Sequence, residues 1–91
     1  MRKIESMMLQ AIQYRYNFRK ENTSVLITPT HAAVYLHNNH IADVMYDSGE
    51  VAVNKEMLSR WSTPTTKSRL RALGANVTTR KGVTYLNNEA V

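Results

Sequence analysis

Three features of the 91-residue chain predict an α+β domain: an N-terminal helix, a three- or four-stranded antiparallel sheet, a basic helix and a C-terminal β-hairpin. The first is an apolar stripe at three- and four-residue spacing near the start. The second is a central run of short segments rich in β-branched residues and separated by turn residues. The third is a capped basic helix followed by two more short alternating runs. Length allows a single domain over residues 1–91, and 43% hydrophobic residues supply one modest core.

The first segment, residues 1–20, reads as an amphipathic helix. Ile4, Met7, Met8, Ala11 and Ile12 make its apolar stripe. Its end, Tyr14-Arg15-Tyr16-Asn17-Phe18-Arg19-Lys20, alternates aromatic and basic side chains. Such a pattern suits stacking on bases and holding phosphates; it equally suits a helix end whose aromatics cap the core.

Residues 23–54 read as an antiparallel meander. Thr23 to Thr28 stops at Pro29-Thr30, and Ala32 to His37 and His40 to Tyr46 alternate in polarity. Asn38-Asn39 sits between them as a two-residue hairpin turn, Asp47-Ser48-Gly49 forms a second turn, and Glu50 to Val53 returns. Such a sheet needs one face covered, and the N-terminal helix is available for it.

Residues 55–86 carry the basic helix and hairpin. Asn54 caps a short helix through Trp61, which Ser62-Thr63-Pro64 breaks. A second helix runs from about Thr65 to Leu73, with Thr63 or Thr65 as cap, Pro64 at its start and Gly74 past its end. Leu70, Leu73 and Thr66 mark its buried stripe, Lys67 and Arg71 share one flank, and Arg69 lies on the other. Runs on either side of Arg80-Lys81-Gly82 pair as a hairpin with a basic tip; Asn87 to Val91 carries no signal.

Charge is segregated. Residues 1–20 hold five bases and one acid, residues 21–50 four acids and no base, and residues 51–91 seven bases and two acids. No acid occurs between Met57 and Asn88, where six bases fall, and a one-sign stretch of this kind attracts polyanions. The order short helix, break, basic helix, hairpin is that of a winged helix-turn-helix, although strands stand where that fold has helices. A basic helix packed across a meander serves double-stranded nucleic acid equally well. Either way the candidate nucleic-acid-binding residues are Arg60, Thr65, Thr66, Lys67, Ser68, Arg69, Arg71, Arg80 and Lys81. Arginines can read guanine, hydroxyls and lysines can hold phosphates.

Other classes find less support. There is no cysteine, hence no disulfide and no thiolate site, and no glycine-rich phosphate loop among the three glycines. His31, His37 and His40 read as surface residues near a turn, since no metal-ligand spacing accompanies them. Asp43, Asp47 and Glu50 read as a solvated acidic turn, so neither enzyme nor cofactor is expected. No apolar run, Val25-Leu26-Ile27 included, approaches the length of a membrane span. Trp61, Met57 and Leu58 read as an apolar anchor for the C-terminal half.

The stretches Asn22-Thr23-Ser24-Val25, Val34 to Ala42 and above all Trp61 to Gly74, with its Thr-Thr-Lys-Ser-Arg-Leu core, resemble small proteins encoded by tailed bacteriophages. The resemblance implies a phage product acting in the host bacterial cytoplasm, with a helix following a strand at the Thr-Thr-Lys segment. It implies no activity. Two functions are therefore carried forward: non-enzymatic binding of nucleic acid, with DNA the expected polymer, and inhibition or bridging of a bacterial host protein through the same basic surface. A structural component of the virion is a third. An unpaired edge strand would also support a homodimer.

Overall fold

A computed structural model describes all 91 residues. Helix α1 spans Lys3–Tyr14 and buries Met8 and Ala11, and with them the carboxylate of Glu5. It is shorter than the expected 1–20 segment. Arg15 takes the left-handed conformation (φ 54°) and its N–H donates to the Ala11 carbonyl, which turns the chain out of the helix.

The aromatic and basic residues that follow are therefore a strand. β1 (Phe18–Lys20) pairs antiparallel with β2 (Thr23–Ile27), Phe18 opposite Val25. The Asn17 carboxamide extends the ladder by accepting from the Ile27 N–H at 2.9 Å. β3 (His31–Leu36), β4 (Asn39–Met45) and β5 (Val51–Val53) complete a five-stranded meander in the order β1-β2-β3-β4-β5, one strand more than the sequence suggested.

The hairpin between β3 and β4 turns on His37 and Asn38, both at positive φ, one residue earlier than the Asn38-Asn39 turn read from the sequence. The reason is a bulge: Val34 faces Ala42 while Tyr35 faces His40, so Ile41 is an extra residue that turns into the core. The bulge also puts His40 and Asp43, three apart, on the same face of the sheet.

Val25, Ala32, Val34, Leu36 and Ala42 line the covered face, against Met8 and Ala11 of α1. Helix α2 (Lys55–Arg60) is capped by Asn54, whose side chain accepts from the Met57 N–H, and it inserts Leu58. Helix α3 (Pro64–Leu73) starts at Thr63, whose hydroxyl accepts from the Thr66 N–H, and ends at Gly74 with φ 104°. Of the two residues offered as cap, Thr63 is the one used. α3 contributes Leu70 to the core.

β6 (Val77–Arg80) and β7 (Val83–Leu86) form the C-terminal hairpin and close the core with Val77 and Leu86. The last residues form a further strand, β8 (Glu89–Ala90), after a turn in which Asn87 and Asn88 both have positive φ. Trp61 does not anchor the core; its side chain is 52% exposed, and Leu58 and Met57 do the packing.

Candidate nucleic-acid interface

The nine residues singled out in the sequence divide into two groups. Two are buried, Thr66 and Arg69, and the half-buried Ser68 is tied to the same interior network. Thr66 is buried, and its hydroxyl is 3.0 Å from that of Thr63. Ser68 donates to Glu5 Oε2 at 2.5 Å. Arg69 is only 3% exposed; its Nη1 donates to Glu5 Oε2 at 2.7 Å and its Nε to Thr23 Oγ1 at 3.0 Å. Arg69 therefore cannot meet a groove as expected. It lies three residues after Thr66 and beside Leu70, on the side of α3 turned towards α1 and the sheet.

Glu5 is the hub of this buried network. Its second oxygen accepts from the Arg2 N–H at 3.1 Å, and Thr23 in turn donates to Asn22 Oδ1. Burial pushes the Glu5 carboxyl up, but hydrogen bonds from Ser68, the Arg2 amide and Arg69, together with the Arg69 charge, outweigh it. The carboxyl is held below its ordinary value and stays ionised. Sequence reasoning missed this partnership. Its one signal was an acid between Ile4 and Met8, on the face of α1 that packs inward.

The other group is on the surface. Lys67 and Arg71 occupy the opposite flank of α3, and both reach the hairpin: Lys67 Nζ lies 2.7 Å from Thr79 Oγ1, and Arg71 Nε donates to the Val77 carbonyl at 2.8 Å. Arg80 lies on β6 with its guanidinium 4.2 Å over the Tyr85 ring. Lys81 (φ 50°) and Gly82 (φ 78°) form the exposed tip. The basic strip thus runs from Lys67 and Arg71, which α3 sets against the hairpin, past Lys81 at the tip to Arg80, which the ladder register turns with Tyr85 to the opposite face of the hairpin.

None of the four has a carboxylate partner. The ion pairs of the chain are Arg69–Glu5, Arg60–Glu56 and the contacts of His31 and His40 with Asp43. Arg60, at the end of α2, is exposed but shared with Glu56 at 3.3 Å. Thr65 is half-buried in the first turn of α3. The strip is consequently unneutralised, and two of its cations, Lys67 and Arg71, are fixed by hydrogen bonds to a hydroxyl and a carbonyl that leave their charge in place.

Fold and surface together define a small α+β protein with a meander covered on one side and a basic helix–hairpin strip. The whole chain, residues 1–91, matches one protein family, and the chain belongs to it: the Kyanoviridae Gp96 protein family of tailed cyanophages. It is a bacteriophage protein, in agreement with the resemblance noted in its sequence. No curated protein and no solved structure matches it. No helix is long and apolar enough to cross a membrane.

Proposed function

We propose that this phage protein binds nucleic acid without catalysis, in the host bacterial cytoplasm, and that duplex DNA is its polymer. The observation that carries the reading is the strip of Lys67, Arg71, Arg80 and Lys81, four cations on two packed elements with no carboxylate among them. Cations carried on two packed elements can meet successive phosphates of a duplex, whose contacts fix register and supply affinity. The expected helix-first docking changes accordingly. With Arg69 in the core, α3 presents a flank to the backbone, and the hairpin tip extends the contact.

The reading makes a quantitative demand. Four phosphate contacts give a salt dependence of about 0.9 per contact, so affinity for a duplex falls by roughly 150-fold between about 50 and 200 mM salt. Titration of a labelled duplex at both salts tests this, with the protein and with a variant carrying Glu at all four positions. Binding that is absent at low salt, or that survives charge reversal unchanged, overturns the reading. The strip would then serve an acidic patch on a host protein, and retention of a specific partner from nuclease-treated bacterial lysate would show it.

A further inference from the structure

The five-stranded sheet is covered on one face only, and its other face is not featureless. Because register is antiparallel throughout, Arg19, Ser24, Tyr35 and His40 form a single row across β1 to β4, and Leu26, Ala33, Asp43 and Ala52 form the next row across β2 to β5. A small side chain, Ser24, stands between Arg19, Leu26 and Tyr35 and leaves a shallow groove of about 440 Å³, edged by the carboxamide residues Asn17 and Asn38.

The groove has an apolar floor and a polar rim. Leu26 is 48% exposed on β2, and the Tyr35 ring packs against His40 with centroids 5.2 Å apart. Arg19 stands exposed at one end and has no carboxylate partner. Asp43, the one carboxylate among the strand residues of this face, is occupied: His40 Nε2 lies 2.7 Å and His31 Nε2 3.7 Å from its Oδ1. Asn17 and Arg19 come from the Tyr14 to Lys20 stretch. This is the aromatic and basic segment that the sequence set apart and that the duplex-binding strip leaves unused.

We propose that this uncovered face binds single-stranded nucleic acid, with a base held in the groove against Tyr35 and Leu26 and its phosphate at Arg19. An aromatic floor accepts the face of any base, and a cation at its edge tracks the backbone. A paired, stacked base cannot offer its face to such a floor, so the surface selects single strands. The proposal shares its ligand class with the duplex reading but uses different residues on a different side of the molecule, so each can fail alone.

The test is a titration of nitrogen-15-labelled protein with a short oligothymidylate, following amide shifts, alongside affinities of variants. Shifts are expected at Arg19, Ser24, Leu26 and Tyr35. Tyr35→Ala weakens binding by about tenfold or more, while Tyr35→Phe, which keeps the ring, retains it. Leu26→Glu tests the same groove without touching a buried side chain, and it too loses the oligonucleotide while duplex affinity stays unchanged. Glu at all four strip positions has the opposite pattern, losing duplex and keeping the groove shifts. Oligothymidylate shifts confined to α3 and the hairpin, no shifts at all, or unchanged affinity in both Leu26→Glu and a folded Tyr35→Ala protein overturns the proposal.

Discussion

Arg69 and Arg71 lie two residues apart on one helix and have opposite fates. Arg69 is enclosed, with Glu5 and Thr23 taking its donors, whereas Arg71 is exposed and spends one N–H on a backbone carbonyl. About 200° of rotation along the helix separates them, since each residue turns the direction of its side chain by about 100°. One side joins α3 to α1; the other side joins it to the hairpin and faces water. The lesson is that positive charge in a small basic protein has two uses, and that burial, not residue type, sorts them. Only the outer side is free for a polyanion.

The comparison breaks most visibly if both arginines are removed in turn. Arg69→Ala leaves a buried Glu5 carboxylate and the Thr23 hydroxyl without their partner, and loss of one member of a buried pair costs about 3–5 kcal/mol. Domains of this size hold about 5–15 kcal/mol in total, so urea unfolding of Arg69→Ala should begin at much lower denaturant. A double-mutant cycle with Glu5→Leu and Arg69→Met sharpens the point. Each single change strands a charge, while the pair removes both, so the double variant should be less destabilised than the sum of the singles.

The outer side predicts the reverse. Lys67→Glu with Arg71→Glu alters exposed or half-exposed groups, and stability should move by no more than about 0.5 kcal/mol per site. Duplex affinity should drop by at least about tenfold, and the salt slope should lose about one unit per contact removed. A loss of fold in this variant would show that the bridges to Thr79 and Val77 hold the hairpin in place and are more than a way of aiming charge.

Acid should act on the inner side. The Glu5 carboxyl is held below its ordinary value in the folded chain, so its contribution to stability is complete above the unfolded value near pH 4.5. It is lost as pH falls through the folded one. The urea midpoint should therefore decline below about pH 4.5, and Glu5→Gln should have a lower midpoint at neutral pH and a shallower acid decline. An acid profile identical in the two proteins would mean that the buried carboxylate is not ionised.

What the sequence showed, and what it hid, follows the same division between local and distant causes. The limits of α3 were legible because Thr63, Pro64 and Gly74 act on their own neighbours. The Asn54 cap and the turn ending at Gly49 were legible for the same reason. β1 was not, because a three-residue strand carries too little alternation to outweigh a preceding helix, and a non-glycine residue, Arg15, makes the left-handed exit. The β3–β4 turn was displaced by one because the Ile41 bulge consumes a residue that strict alternation cannot anticipate. Asn87-Asn88 did offer a signal, a pair tolerant of positive φ, but β8 beyond it is two residues long. The burial of Arg69 depends on Glu5, 64 positions earlier, and on Thr23, 46 positions earlier. Nothing near Arg69 distinguishes it from Arg71 except its distance from Thr66 and Leu70, which together define the packed side.

The smallest expected effect decides how far the outer surface extends. Arg60 and Glu56 lie one turn apart on α2 and face each other at 3.3 Å, both largely exposed. An exposed pair at this spacing is worth about 0.3–0.5 kcal/mol, so Glu56→Ala should barely change stability. It does change the charge available: with the carboxylate gone, Arg60 joins the free cations. If α2 borders the duplex, Glu56→Ala tightens binding and steepens the salt slope by about one unit, the signature of a further phosphate contact. If α2 lies outside it, the slope is unchanged and only a weak long-range gain appears, which added salt screens away. Arg60→Ala then discriminates in the other direction, reducing duplex affinity only where the guanidinium touches phosphate. Fixing the edge of the strip in this way separates a contact confined to α3 and the hairpin from one that also uses the helix before them.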